Sequence, residues 1–242
     1  MKRDALRWIV RGTGVVAVLA AGTLLLGDYF SGTASTFTPA FQRKTPPAVA
    51  AVFWSGDMGL HVGFGSDIPE RLAAHGVPVL AVSSPVVFGR ARSAGFARSA
   101  VADSVAEALR RSGAQRIDVI GFSFGADVIG ATIGALTPAL RQRIAQVVLV
   151  GPASDVHFHA NPFGLFYTGP SQVPPGAMAQ GFRGLPLSCI FARAEAESLC
   201  REPLLGAARL TPIDDNHLML FHREEATAAV VNAVLRPPEP LR

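Results

Sequence analysis

Charge is scarce in this chain. Charged residues make up 17% of its 242 positions, against 49% hydrophobic. A composition this apolar can bury a sizeable core, which excludes a disordered chain, and the length suits one α/β domain better than two. Glycine (24) and proline (18) are frequent but follow no period, which excludes a fibrous chain, and there is no internal repeat. No run of Lys and Arg with interleaved aromatics occurs, which argues against nucleic-acid binding. His157-Phe158-His159 lacks a third ligand at metal-site spacing, so neither a metal nor another cofactor is expected. Cysteine is almost absent: there are two, Cys189 and Cys200.

What charge there is sits unevenly. Lys2, Arg3, Arg7 and Arg11 precede residues 12–27, a stretch with no charge at all, mostly Val, Ala, Leu and Gly. A basic head followed by an apolar run reads as a signal anchor or signal peptide over 1–28. The basic excess puts the N-terminus in the cytoplasm and the body outside, at the inner membrane. Gly32-Thr33-Ala34 offers small residues for signal cleavage, so anchored and released forms both stay open. From Asp28 onward 18 Lys and Arg face 17 Asp and Glu, so the body is near neutral. In an exported protein two cysteines this close are most simply a disulfide, closing a loop for ~2–3 kcal/mol of stability.

Residues 29–47, rich in Ser, Thr, Gly and Pro, read as a linker with room for an early strand, and 48–242 as one domain. There, apolar runs at 48–54, 77–82, 117–120, 147–150 and 187–192 read as buried strands. Helical patterns fall at 67–75, 94–111, 124–136 and 224–235. Asp67 is the expected N-cap of its helix, with Glu70 completing a capping box. Strands alternating with helices predict an α/β fold: a mostly parallel sheet with helices on both faces. Residues 153–185 break the rhythm and read as a small cap, in which Phe158, Phe163, Phe166 and Tyr167 would offer an apolar surface.

Gly121-Phe122-Ser123-Phe124-Gly125 follows one predicted strand and opens a helix. This is the G-x-S-x-G pattern, in which a tight turn lifts a serine hydroxyl above the carboxyl edge of a sheet. A serine nucleophile needs a base and an orienting acid, which follow it here in the order acid, then histidine. Glu195, three residues past the strand at 187–192, is the expected acid, with Glu197 competing. His217, in the polar stretch 211–217, is the expected base, and His222 a second candidate. The oxyanion formed on attack needs two backbone N–H donors. Phe124 supplies one; Asp57 or Met58, after the strand at 48–54, supplies the other.

The extended elbow through Ala126-Asp127, the Ser55-Gly56-Asp57 loop and the Cys189…Glu195…Ser198-Leu199-Cys200 segment together resemble the bacterial VirJ virulence proteins and the related C-terminal domain of AcvB. The resemblance covers roughly residues 49–235. It departs at Met58-Gly59-Leu60, where the family's loop continues Gly-Gly-Trp, at Phe122 in place of tyrosine, and at Ala192 in place of glycine. It implies an α/β-hydrolase fold, export to the periplasm, Ser123 as nucleophile and His217 as base. The substrate class it implies is an aminoacyl ester of a membrane lipid, lysyl-phosphatidylglycerol. Asp57, Asp127 and Glu197 are the carboxylates expected to meet the lysyl ammonium groups. The resemblance also carries a link to type IV secretion, so the competing expectation is a non-catalytic periplasmic accessory with secretion-system partners. A small soluble ester is the other substrate class open to a hydrolase.

Overall fold

The computed structural model describes residues 22, 24–25, 27–41, 47–162, 167 and 169–241. Most of the expected leader lies outside these, as do Phe163 and Phe166. Among the described residues no helix is long and apolar enough to cross a membrane.

Among the described residues seven strands form one sheet: β1 (Ser35–Thr38), β2 (Val49–Trp54), β3 (Val79–Val82), β4 (Arg116–Phe122), β5 (Ile144–Val150), β6 (Leu187–Ala192) and β7 (Arg209–Ile213). Their order across the sheet is β1-β3-β2-β4-β5-β6-β7. All pairs are parallel except β1 with β3, an antiparallel edge in which Ser35 faces Val82. The central strands are continuous apolar runs because both their faces are covered. On β2, Ala51 and Phe53 pack with Phe64, Ile68 and Leu72 of helix α1 (Phe64–Ala74). Ala226 and Val230 of the last helix (Arg223–Leu235) join that layer. Val52 and Trp54 point the other way, onto Val101 and Val105 of the long helix Ala94–Ser112 and Val128 of Phe124–Thr132. Alternation along one strand thus builds both layers.

Several boundaries differ from the sequence reading. The first helix begins at Phe64, a turn early, because Phe64 is drawn onto Phe122, with ring centroids 4.8 Å apart. Its N-cap position is Gly63, with no side-chain cap. Asp67 sits instead in the first turn and pairs with Arg223 at 2.9 Å, while Glu70 is exposed. The helix after Ser123 ends at Thr132 and tightens to a 3-10 turn over Ile133–Ala135. Residues 211–213, read as loop, are part of β7, an edge strand whose mostly exposed side chains erase the apolar signal. Proline at 212 is tolerated there because an edge strand has a side with no ladder to complete. Residues 35–38 of the expected linker are β1.

Between β5 and β6, the stretch around Phe158 is pinned to the core. Phe158 is buried against Phe88, and backbone bonds run from Ala160 N to Phe88 O and from Arg92 N to Phe158 O, each 2.8 Å. Phe158 therefore belongs to the core, and offers no apolar surface to a substrate.

Candidate active site

Sheet and helix meet at Ser123, between the end of β4 and the helix Phe124–Thr132. Its φ of 49° and ψ of −121° are a conformation that costs a non-glycine residue ~1–3 kcal/mol. The surroundings impose it. Ser123 N donates to Val150 O at 2.8 Å, and its carbonyl accepts from Ala126 N (2.7 Å) and Asp127 N (3.1 Å). A Cβ at Gly121 would stand 2.6 Å from Ala126 Cα, and one at Gly125 2.4 Å from Trp54 O, so neither position admits a side chain. The turn thus holds the Ser123 hydroxyl above the carboxyl edge of the sheet, in front of a helix N-terminus.

Two loops bring partners to it. His217 follows β7, and its Nε2 lies 2.9 Å from Ser123 Oγ. The loop is stiffened by Asp215, whose carboxylate accepts from Phe221 N (2.9 Å) and His222 N (3.0 Å). His222 itself faces Asp215, so it takes no part at Ser123. Glu195 Oε1 meets His217 Nδ1, and this hydrogen bond, opposed by burial, raises the imidazole above its ordinary pKa. Glu195 rides on a loop closed by the Cys189–Cys200 disulfide and held by Arg201, whose Nε donates to Glu195 O at 2.7 Å. Glu197 makes no hydrogen bond to His217 among the described residues. It lines a separate recess with Asp155, Glu195 and His217.

Ser123 and His217 open into a cavity of about 250 Å³ that Asp57, Met58, Asp127, Tyr167 and Leu218 also line. Asp57 and Met58 line this cavity and Phe124 directly follows Ser123 at the start of the helix, while the Asp57 amide also bonds its own carboxylate. The two aspartates dominate the electrostatics. Asp57 Oδ1 accepts from Tyr167 Oη (2.7 Å) and Asn161 N (3.0 Å), yet burial lifts its pKa to about 6. Asp127 Oδ1 accepts from Ala153 N at 2.7 Å. Burial, and then repulsion from Asp57 and Glu195, raises it well above the usual carboxylate range. A larger hollow of about 650 Å³, with Arg116, Asp118 and Gln146 in its wall, opens at the amino ends of β4 and β5, the sheet edge away from Ser123. Among the described residues no group of three or more His, Cys, Asp or Glu side chains is arranged to hold a metal ion.

Of the residues the sequence brought forward, Ser123, His217, Asp57 and Met58 line one cavity, Glu195 stands behind His217, and Phe124 follows Ser123 in the chain. The sequence reading missed the hydrogen bond that Tyr167 makes to Asp57, which depends on a loop crossing between distant strands. It also missed Asp28, placed in the leader, which is buried beside the 55–61 loop.

A parallel sheet with one antiparallel edge, and a serine on a strained strand-to-helix turn followed in the chain by an acid and a histidine, define an α/β hydrolase fold. A family model described as bacterial virulence protein (VirJ) matches residues 48–236, and the chain belongs to that family. Solved structures agree in fold. Est1E from Butyrivibrio proteoclasticus, with ferulic acid bound, is 13% identical over 83% of this chain and 93% of its own, with a TM-score of 0.61. An alpha-beta serine hydrolase homologue from Coxiella burnetii is 12% identical over 83% and 90%, at 0.56. Pyrococcus horikoshii acylaminoacyl peptidase is 13% identical over 86% of this chain and 40% of its own, at 0.61. No curated protein matches in sequence.

Proposed function

We propose that this chain is a serine hydrolase that cleaves an ester whose acyl group is cationic, the lysyl ester of phosphatidylglycerol, at the outer face of the inner membrane. Ser123 Oγ attacks the ester carbon as its proton passes to His217 Nε2, and Glu195 stabilises the resulting imidazolium. The oxyanion is held by Phe124 N–H with Asp57 or Met58 N–H. Collapse expels the glycerol oxygen, which takes the proton from His217, and leaves a lysyl ester on Ser123. Water then attacks with His217 as base and releases lysine and free Ser123.

One observation carries the reading: the Ser123–His217–Glu195 hydrogen-bond chain opens into a small cavity in which the other ionisable groups are acidic. A carboxylate next to a developing oxyanion opposes catalysis unless a positive charge neutralises it, and a lysyl ammonium on Asp57 and Asp127 does so. At about 250 Å³ the cavity is also smaller than the ~300–1,000 Å³ of drug-sized pockets, which favours a short acyl group over a fatty chain. The lipid half of the substrate is supported by the rim. Leu218, Leu220 and Phe221, just after His217, are 43%, 61% and 85% exposed, an arrangement suited to an interface with acyl chains.

A fluorophosphonate probe should label the wild type and not Ser123→Ala. Lysine release from lysyl-phosphatidylglycerol vesicles should then exceed hydrolysis of neutral esters of equal size. Equal labelling of both proteins would remove the enzyme reading in favour of an accessory role in secretion; labelling without lysine release would remove the substrate.

A further inference from the structure

Asp28 is the first charged residue after the uncharged run at 12–27. Where a leader meets solvent, a carboxylate ordinarily points into water. Here it is 5% exposed. Its Oδ2 accepts from Leu60 N at 2.8 Å and from Ser83 Oγ at 2.9 Å, and its Oδ1 meets His61 Nδ1 at 2.5 Å. The segment is fixed on both sides of it: Ser31 N donates to Asp28 O, and Ser83 N to Ala34 O, each 2.9 Å. Gly59 lies flat on the carboxyl, since a Cβ there would be 2.3 Å from Asp28 Oδ2. The hydroxyl of Tyr29 is buried next, with no partner among the described residues, in the field of Asp57. A buried carboxylate persists only when its partners replace water, and this one has three.

Those partners sit on the loop that carries the Asp57 and Met58 amides and at the end of β3. We propose that Asp28 is a positioning residue. It locks the 56–61 loop to the segment leaving the leader, so that the site is complete only while the chain from Asp28 onward remains attached. The inference rests on the reading of that loop as oxyanion donor. It has one structural consequence. Cleavage after Ala34 would sever the piece that holds Asp28, so the working form keeps the chain from Asp28 onward.

The test uses the full chain in detergent or vesicles. Misplacement of a donor by up to about 1 Å costs on the order of 10- to 100-fold in rate. Asp28→Ala is therefore expected to lower kcat by about that factor on a soluble ester while KM stays within about twofold. Asp28→Asn should recover most of the loss, since its side-chain oxygen still accepts from Leu60 N–H and Ser83 O–H. Hydrogen exchange at Leu60 should quicken in Asp28→Ala and not in Asp28→Asn, a readout that needs no turnover. Intact mass of the membrane-extracted active protein should show an N-terminus at or before Asp28. Wild-type kcat and Leu60 exchange in Asp28→Ala, or an active species beginning at Ser35, overturns the proposal. If Asp28→Ala does not fold, Ser83→Ala takes its place, with a smaller fall in kcat expected and unchanged kcat refuting. An inert wild type with the Leu60 effect intact would remove the hydrolase reading and leave the lock standing.

Discussion

Asp57→Asn separates the two roles assigned to the acidic cavity. Asp57 is 7% exposed and its pKa stands at about 6 against an ordinary 3.8. A raised carboxylate pKa means that the folded state holds the proton more tightly than the unfolded one. Below pH ~4 both states are protonated and nothing is lost; above pH ~6 the folded state bears the full cost of a buried charge, about 3 kcal/mol for a shift of this size. Asparagine removes that charge and keeps an oxygen for Tyr167 Oη and Asn161 N. The variant should be more stable than wild type at pH 7, by about 1–3 kcal/mol once the weaker neutral hydrogen bonds are allowed for, and equal to it near pH 4. Its kcat/KM on a lysyl ester should fall about 10- to 100-fold, the scale of one lost charged hydrogen bond. On a neutral ester of the same size it should hold or rise, because a charge opposing the oxyanion has gone. Urea unfolding at the two pH values and paired ester kinetics read both. A variant less stable than wild type at pH 7, or equal losses on both esters, would refute the reasoning.

Glu195→Gln removes the main cause of the raised His217 pKa; the pH at which activity switches on should move down, and the plateau should fall about 10²- to 10⁴-fold. A wild-type pH–rate profile in that variant would dismiss Glu195. Replacing Cys189 and Cys200 together by serine should cost ~2–3 kcal/mol in urea unfolding. It should lower kcat as well, since the loop it closes carries Glu195; reductant without effect on either would refute this. Leu220→Ser with Phe221→Ser should cut turnover of a vesicle-borne ester about 10-fold or more and leave a short soluble ester unaffected, given ~1.5–3 kcal/mol for burying each side chain. Equal effects on the two substrates would place the rim outside lipid contact.

The parts of this fold that could be read from the chain are those where local physics and burial agree. The apolar runs of β2, β4, β5 and β6 were visible because both faces of those strands are covered, and the serine turn because its glycines are forced by backbone contact. Glu195 and Glu197 were not separable in sequence: both follow β6, and only the loop's path, set by the disulfide and by Arg201, brings Glu195 to His217. β7 hid because an edge strand need not be apolar. Asp28 hid for the opposite reason, as composition assigned it to a leader while long-range hydrogen bonds assign it to the domain.

These buried groups share a logic. Ser123 sits in a strained conformation, Asp57 and Asp127 are buried acids, and Glu195 Oε2 is buried without a partner among the described residues. Each lowers stability, and each lies at one cavity or directly behind its His217, whereas the layers beneath are closely packed aromatic and aliphatic side chains. A fold that only needed to be stable would replace Asp57 by asparagine and relax the turn at Ser123. That it carries all four costs together is what selection for a reaction, and not for a scaffold, would leave behind. On the proposed reading, a cationic acyl group would neutralise Asp57 and Asp127 and so offset the free energy their burial costs only when the right substrate is bound.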